Sequence, residues 1–201
     1  MRIRALGRVA YEPTWRAMRS LTERRAADAR DEIWLLEHPA VYTLGLAGRR
    51  EHLLDPGAIP VVATDRGGQV TYHGPGQAIA YTMLDLRRRA LGPKELVRRL
   101  EQAAIDLLAS YGIAGERRTG MPGVYVAGAK IAAVGLRIAR GCSYHGLALN
   151  AHLDLEPFSR IDPCGYPGLA CTRLADHGVR DSIDAVQQKL SVALERCLNP
   201  T

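Results

Sequence analysis

The chain has 201 residues, 47% hydrophobic and 24% charged, with 27 basic residues against 21 acidic and a net charge of +6. This composition excludes a disordered chain and suits one domain, residues 1–201, whose core needs no disulfide or metal staple. No apolar run approaches the ~18 residues of a membrane span. The start, MRIRALGRVAYEP, breaks its apolar residues with arginines, so it is no secretory signal and the expected location is the cytoplasm.

From about Pro13 to Asp31, Trp15, Met18, Leu21 and Thr22 recur at helical spacing. Ile33 to Leu36 then reads as a short buried strand closed by His38-Pro39. Further strands are expected at Val41 to Leu44, Pro60 to Thr64, Gln69 to His73 and Ala78 to Leu84. The clearest helix follows Gly92, with Pro93 in its first turn. It carries Leu96, Leu100, Ala104, Leu107 and Tyr111 on one face and stops at Gly112. A second β block runs through Val124 to Val126, Lys130 to Ile138 and Tyr144 to Asn150, and Ser182 to Leu198 returns to helix. Strand runs flanked by a few helices indicate an α/β fold of α+β type, a mixed sheet with flanking helices.

The basic residues are scattered in pairs and one triplet, Arg87-Arg88-Arg89, and aromatics make up only 5%, so neither nucleic acid nor membrane is an expected partner. Only Lys94, Lys130 and Lys189 among the basic residues are lysines. A lysine kept in such a chain is a candidate for chemistry, because arginine does not release its proton near neutral pH. The four cysteines, Cys142, Cys164, Cys171 and Cys197, form no C-x-x-C pair, which argues against zinc and thioredoxin-type sites.

Four stretches stand out. Arg66-Gly67-Gly68-Gln69-Val70-Thr71-Tyr72-His73-Gly74-Pro75-Gly76-Gln77 reads either as a hairpin with glycine turns or as a backbone wall that a substrate approaches closely. Gly128 to Ile138 alternates with period two and puts Lys130 at the head of an apolar face, where it either snorkels to water or, if trapped, loses basicity by desolvation. Arg140 to Asn150 repeats, at Tyr144-His145-Gly146, the aromatic-His-Gly pattern of Tyr72-His73-Gly74, suggesting two walls of one pocket. Asp162-Pro163-Cys164-Gly165-Tyr166 sets a cysteine in a turn whose neighbours cannot bury it, whereas Cys142, Cys171 and Cys197 read as buried. His38, His52, His152 and His177 sit in ordinary contexts and receive no role.

In this order, R-G-G-Q-V-T-Y-H-G-P-G-Q, P-G-V-Y-V with G-A-K-I-A-A-V-G-L-R-I, G-C-S-Y-H-G-L-A-L-N and P-C-G-Y, the chain resembles the octanoyl-[acyl-carrier-protein]:protein N-octanoyltransferases of lipoate biosynthesis from about His38 to Thr172. The resemblance implies the α/β fold of lipoate and biotin protein ligases. It implies that Cys164 carries the acyl group and that Lys130 activates the thiol and relays protons. Substrate binding is implied for Arg66, Gly67, Gly68, Gln69, Val70, Thr71, Tyr72 and His73, for Ala133, Val134 and Gly135, and for Gly146, Leu147 and Ala148. The implied donor is octanoyl-acyl carrier protein. The implied acceptors are lipoyl domains of 2-oxoacid dehydrogenase E2 subunits and the glycine cleavage H protein, with no cofactor and no metal. Both partners are typically acidic, which suits a positive chain and gives Arg66, Arg137 and Arg140 an expected docking role. The rival readings are an ATP-dependent lipoate or biotin-type ligase on the same fold, a basic nucleic-acid module, and a thiol hydrolase pairing Cys164 with His73 or His145.

Overall fold

The computed structural model describes residues 1–199. Its frame is a seven-stranded mixed sheet in the order β1-β2-β6-β10-β9-β8-β7, with β1 Arg2–Arg8, β2 Glu32–Glu37, β6 Gln77–Met83, β7 Glu116–Arg118, β8 Met121–Val126, β9 Ala129–Ala139 and β10 Cys142–Asn150. Within this sheet, among the described residues, only β1 and β2 pair in parallel, and the pairs β2-β6, β6-β10, β10-β9, β9-β8 and β8-β7 are antiparallel. A second sheet, ordered β4-β3-β5, is built from β3 Val41–Leu44, β4 Val61–Ala63 and β5 Val70–His73.

Alternation along the strands sorts side chains between two layers. Ile33 and Leu35 of β2, Ala78 and Ala80 of β6, and Leu147 and Leu149 of β10 pack with Leu96, Leu100 and Leu107 of α2 (Pro93–Ser110) and Val186, Leu190 and Leu194 of α3 (Ile183–Leu198). Trp34, Leu36, Ile79, Tyr81, Tyr144 and Ala148 face the other way, onto Met18 of α1 (Tyr11–Glu23). The strongly apolar stripes of α2 and α3 therefore share one face of the sheet, and α1 packs on the other.

The expected elements are present, with three differences. The first helix starts at Tyr11 and ends at Glu23 instead of reaching Asp31. Beyond it, Arg25 turns back to bond Met83 O, Ala29 O and the Asp31 carboxylate, which also gathers Arg88 and Arg89. The segment is a loop because these ion pairs need a reversal that a helix denies. The other two differences are β1 and β7, edge strands too arginine-rich to show an apolar alternation.

Candidate active site

Cys164 sits in the short turn Pro163–Gly165 with left-handed backbone, φ +59°, ψ 16°. Such a conformation is strained for a residue with a Cβ and is held by its surroundings. Gly165 N–H donates to Asp162 O and Tyr166 N–H to Pro163 O. Asp162 is tied in turn to His52 through Nδ1 at 3.1 Å and through the backbone. Downstream, residues 170–172 lie along the start of β9: Lys130 N–H donates to Ala170 O and Thr172 N–H to Lys130 O. These bonds join the cysteine loop to the strand that carries the lysine.

Lys130 is buried, at 4% exposure, and does not snorkel. Its ammonium donates to Pro122 O at 3.0 Å and to Cys164 Sγ at 3.0 Å, and stands 5.2 Å over the Tyr125 ring. Burial opposes the lysine's charge, but the charge and hydrogen bond of the Cys164 sulfur outweigh it, so the amine is held above its ordinary range. This reverses the direction expected for a trapped lysine. The expectation took account of desolvation and not of the partner that traps it.

A cavity of about 430 Å³ opens beside this pair. Arg66, Gly67, Gly68, Gln69, Val70, Thr71 and His73 line one wall; Ala133, Val134, Gly135, Gly146, Leu147 and Ala148 line the other. Tyr72 is the exception among the residues assigned to substrate. It packs on Tyr42 and Phe158 in the core beside the small sheet and does not line the cavity. Gly67 N–H bonds Leu136 O at 2.8 Å, fastening the glycine loop to β9. A Cβ on Gly135 would press on Gly67 O and on the Arg66 side chain, so the wall is close because that side chain is missing.

Arg66 is too buried for docking: it is 7% exposed, with its guanidinium bonded to Thr43 Oγ1 and O and to Gly67 O. Arg140 is exposed and Arg137 half-buried.

His73 and His145 line the same cavity, as their matching contexts suggested. They belong to a polar group that sequence reasoning missed in part: His38, at 0% exposure, with Tyr11, Tyr81 and Asp65. Asp65 accepts from Trp15 Nε1 at 2.7 Å, from His145 Nε2 at 3.0 Å and from Tyr144 OH. Neighbours on a strand ordinarily face opposite ways, yet Tyr144 and His145 reach one carboxylate and stack at 5.1 Å. The left-handed backbone of His145, φ +60°, turns its ring to that side. Burial pushes His73 down to about 3 and His38 to about 4, and lowers His145 despite Asp65. All three rings are therefore neutral near pH 7. Cys171, expected to be plain core, borders the thiol as well, and burial pushes it up to about 12, leaving it protonated.

Residues 10–195 match the model of the lipoyl protein ligase A/B catalytic domain. The chain is 60% identical over 196 residues to an octanoyltransferase of Thiobacillus denitrificans, covering 98% of this chain and 90% of that one. It is 56% identical over 196 residues to an octanoyltransferase of Pseudomonas fluorescens, covering 98% and 91%. Among solved structures, a lipoate-protein ligase A bound with ATP superposes with a TM-score of 0.77 at 16% identity, covering 98% of this chain and 86% of that one. A biotin protein ligase from Aquifex aeolicus superposes at 0.59 and 12%, covering 98% and 69%. At these identities the structures speak for the fold alone, whereas the sequence matches show that the chain belongs to the lipoyl protein ligase A/B catalytic-domain family, on its octanoyltransferase side.

Proposed function

We propose that this acyltransferase takes the octanoyl group from octanoyl-acyl carrier protein onto Cys164 and passes it to a lysine of a lipoyl domain. Octanoyl transfer in lipoate biosynthesis follows from the full-length octanoyltransferase relatives. Lipoyl-domain acceptors accord with a related ligase fold from Thermoplasma acidophilum studied with its E2 lipoyl domain. The observation that carries the two-step route is the 3.0 Å contact between Lys130 Nζ and Cys164 Sγ at the edge of a largely apolar cavity.

Cys164 Sγ, within hydrogen-bond reach of the Lys130 ammonium, acts as the nucleophile in its thiolate form. Sγ attacks the thioester carbonyl, the carrier's sulfur leaves as a thiolate, and that thiolate takes a proton from Lys130. Exchange of one thioester for another is nearly isoenergetic and needs no ATP. The acylated sulfur carries no charge, so the strongest support of the Lys130 proton is gone, while the desolvation that favours the neutral amine stays and only Tyr125 and Pro122 O oppose it. The acceptor's neutral amine then attacks the acyl carbon, its proton passes to Lys130, and Cys164 leaves as the thiolate, restoring the ion pair. Lys130 is thus a cation when the thiol must be activated and a base when the amine must lose its proton. Loading and transfer followed separately in a single turnover test this sequence.

Arg66 to Thr71 with His73, Ala133 to Gly135 and Gly146 to Ala148 are proposed to hold the acyl chain. Six methylenes at about 0.8 kcal/mol each offer up to about 5 kcal/mol on burial there. The glycine cleavage H protein is proposed as an acceptor beside the dehydrogenase E2 domains, and the cytoplasm as the place of action. Among the described residues no helix is long and apolar enough to cross a membrane. The chain is proposed to work as a single acyltransferase domain. The rival ATP-dependent ligase has no evident use for the Lys130–Cys164 pair.

A further inference from the structure

We infer that the inner end of the cavity also takes acyl groups carrying a neutral hydrogen-bond donor on their distal carbons, a terminal hydroxyl being the simplest. This rests on the reading of the cavity as the acyl site. His38 Nδ1 lies 2.6 Å from Val9 O, and a carbonyl only accepts, so Nδ1 carries the ring's proton and Nε2 is bare. Tyr81 OH, 2.8 Å from that Nε2, therefore donates to it, and the Tyr81 oxygen has only lone pairs left to offer. The Gln77 amide nitrogen donates to Tyr72 O and Asn150 Oδ1, which leaves its oxygen to accept from His73 Nδ1 at 2.7 Å. His73 Nε2 is thus a bare acceptor without a protein partner among the described residues. His145 gives its Nε2 proton to Asp65, and its Nδ1 is buried with no hydrogen-bond partner among the described residues. Tyr11 spends its proton on Thr64 Oγ1 at 3.1 Å.

Tyr11, His73, Tyr81 and His145 all line the cavity, each with its donor turned back into the protein and acceptor capacity left over. An unpaired buried acceptor such as His145 Nδ1 is costly and uncommon, and a saturated chain offers no donor to it or to His73 Nε2. The neighbours narrow the class of donor. Lone pairs repel a carboxylate, and the buried Arg66 guanidinium repels an ammonium. A neutral O–H remains. Tyr81 pairs with Gly146 and Gly146 with Gly135, five residues along β9 from Lys130, which sets these acceptors well away from the thiol, towards the distal carbons of a chain held on it.

The test compares octanoyl and 8-hydroxyoctanoyl thioesters of acyl carrier protein as donors to a lipoyl domain. The account expects kcat/KM for the hydroxylated donor within about threefold of octanoyl, where an end wall of unmatched apolar groups would cost roughly 10- to 100-fold. His73→Phe and, independently, Tyr11→Phe each remove one acceptor, and each should lower the hydroxyoctanoyl-to-octanoyl ratio at least tenfold. That ratio is internal to each variant, so a general loss of activity does not move it, and either variant suffices if the other fails to fold. A wild-type enzyme that disfavours the hydroxylated donor tenfold or more, or ratios unmoved by both substitutions, overturns the inference. Intact mass separates this failure from that of the underlying reading. An octanoyl adduct on Cys164 without hydroxyl tolerance sinks the inference alone, and no adduct from either donor sinks the acyl-site reading with it.

Discussion

Acylation of Cys164 should turn Lys130 from an acid into a base, and the structure sets the scale. Between an ammonium and a thiolate 3.0 Å apart, Coulomb's law at an effective dielectric constant of 20 gives about 5.5 kcal/mol. If a quarter survives opposing dipoles and solvent, its loss of about 1.4 kcal/mol shifts the ratio of ammonium to amine tenfold. The burial that opposes the charge is unchanged by acylation, so both effects act in one direction. Because the chain has only three lysines, isotopically labelled lysine gives three NMR signals, and Lys130→Arg identifies one of them. Titration should place Lys130 above ordinary lysine in the free enzyme and markedly lower once Cys164 is capped by acylation or by a neutral alkyl group. Lys130→Arg, which keeps the charge but does not yield the proton, should still load some acyl group and then transfer it at least ~100-fold more slowly. An unchanged titration on capping, or near-normal transfer by the arginine variant, would refute the relay and leave Lys130 a fixed charge.

Cys164→Ser should abolish transfer to a lipoyl domain, while Cys142→Ala, Cys171→Ala and Cys197→Ala should each still acquire the acyl adduct, read by intact mass. Amide formation from acyl carrier and lipoyl domain should proceed with nucleotide removed by apyrase; a strict need for ATP would move the chain to the ligase chemistry. Folding stability should fall on acidification. His38 and His73, lowered to about 4 and about 3, and His145, lowered likewise, stay neutral in the folded state, while the unfolded chain takes up protons near pH 6.5. The contribution is present above that pH and lost towards pH 4, at up to about 1.4 kcal/mol per pH unit for each histidine; denaturant titrations at pH 7 and pH 4.5 with equal midpoints would contradict it. Asp65, lowered to about 2 through its bonds to His145, Tyr144 and Trp15 despite desolvation, stabilises the fold above pH ~4 and loses this as pH falls towards 2. Asp65→Ala should cost at least about 1 kcal/mol at pH 7 after allowance for solvent screening, and the gap to wild type should narrow on acidification.

The parts of the site that announce themselves in sequence are those whose residue types are out of place locally. Lys130 heads an apolar strand, Cys164 stands between proline and glycine, and the Arg66 to Gln77 stretch is too glycine-rich for an ordinary strand pair. The parts that stay silent depend on partners far along the chain. His38 looks like the end of a strand because what makes it part of the site are Val9 and Tyr81, 29 and 43 residues away. Asp65 is one more polar loop residue until β10 and α1 bring Tyr144, His145 and Trp15 to it. The positive φ of His145 has no sequence signature, since glycine, not histidine, usually marks such a position. The fold was legible for the same reason in reverse: the stripes of α2 and α3 and the alternation of β6, β9 and β10 are local patterns. The edge strands β1 and β7, dominated by arginine, carry no such pattern, and α1 ends early because Asp31 draws Arg25 back on itself.

The most direct test of the central claim is an intact-mass time course of the enzyme mixed with octanoyl-acyl carrier protein and then chased with a lipoyl domain. The account expects one octanoyl adduct, mapped to Cys164 by peptide sequencing, that appears before the chase. It should then disappear at the rate at which the lipoyl domain gains the same mass on its lysine. Transfer to the domain with no adduct ever present on Cys164, or an adduct that forms and survives the chase, would contradict it.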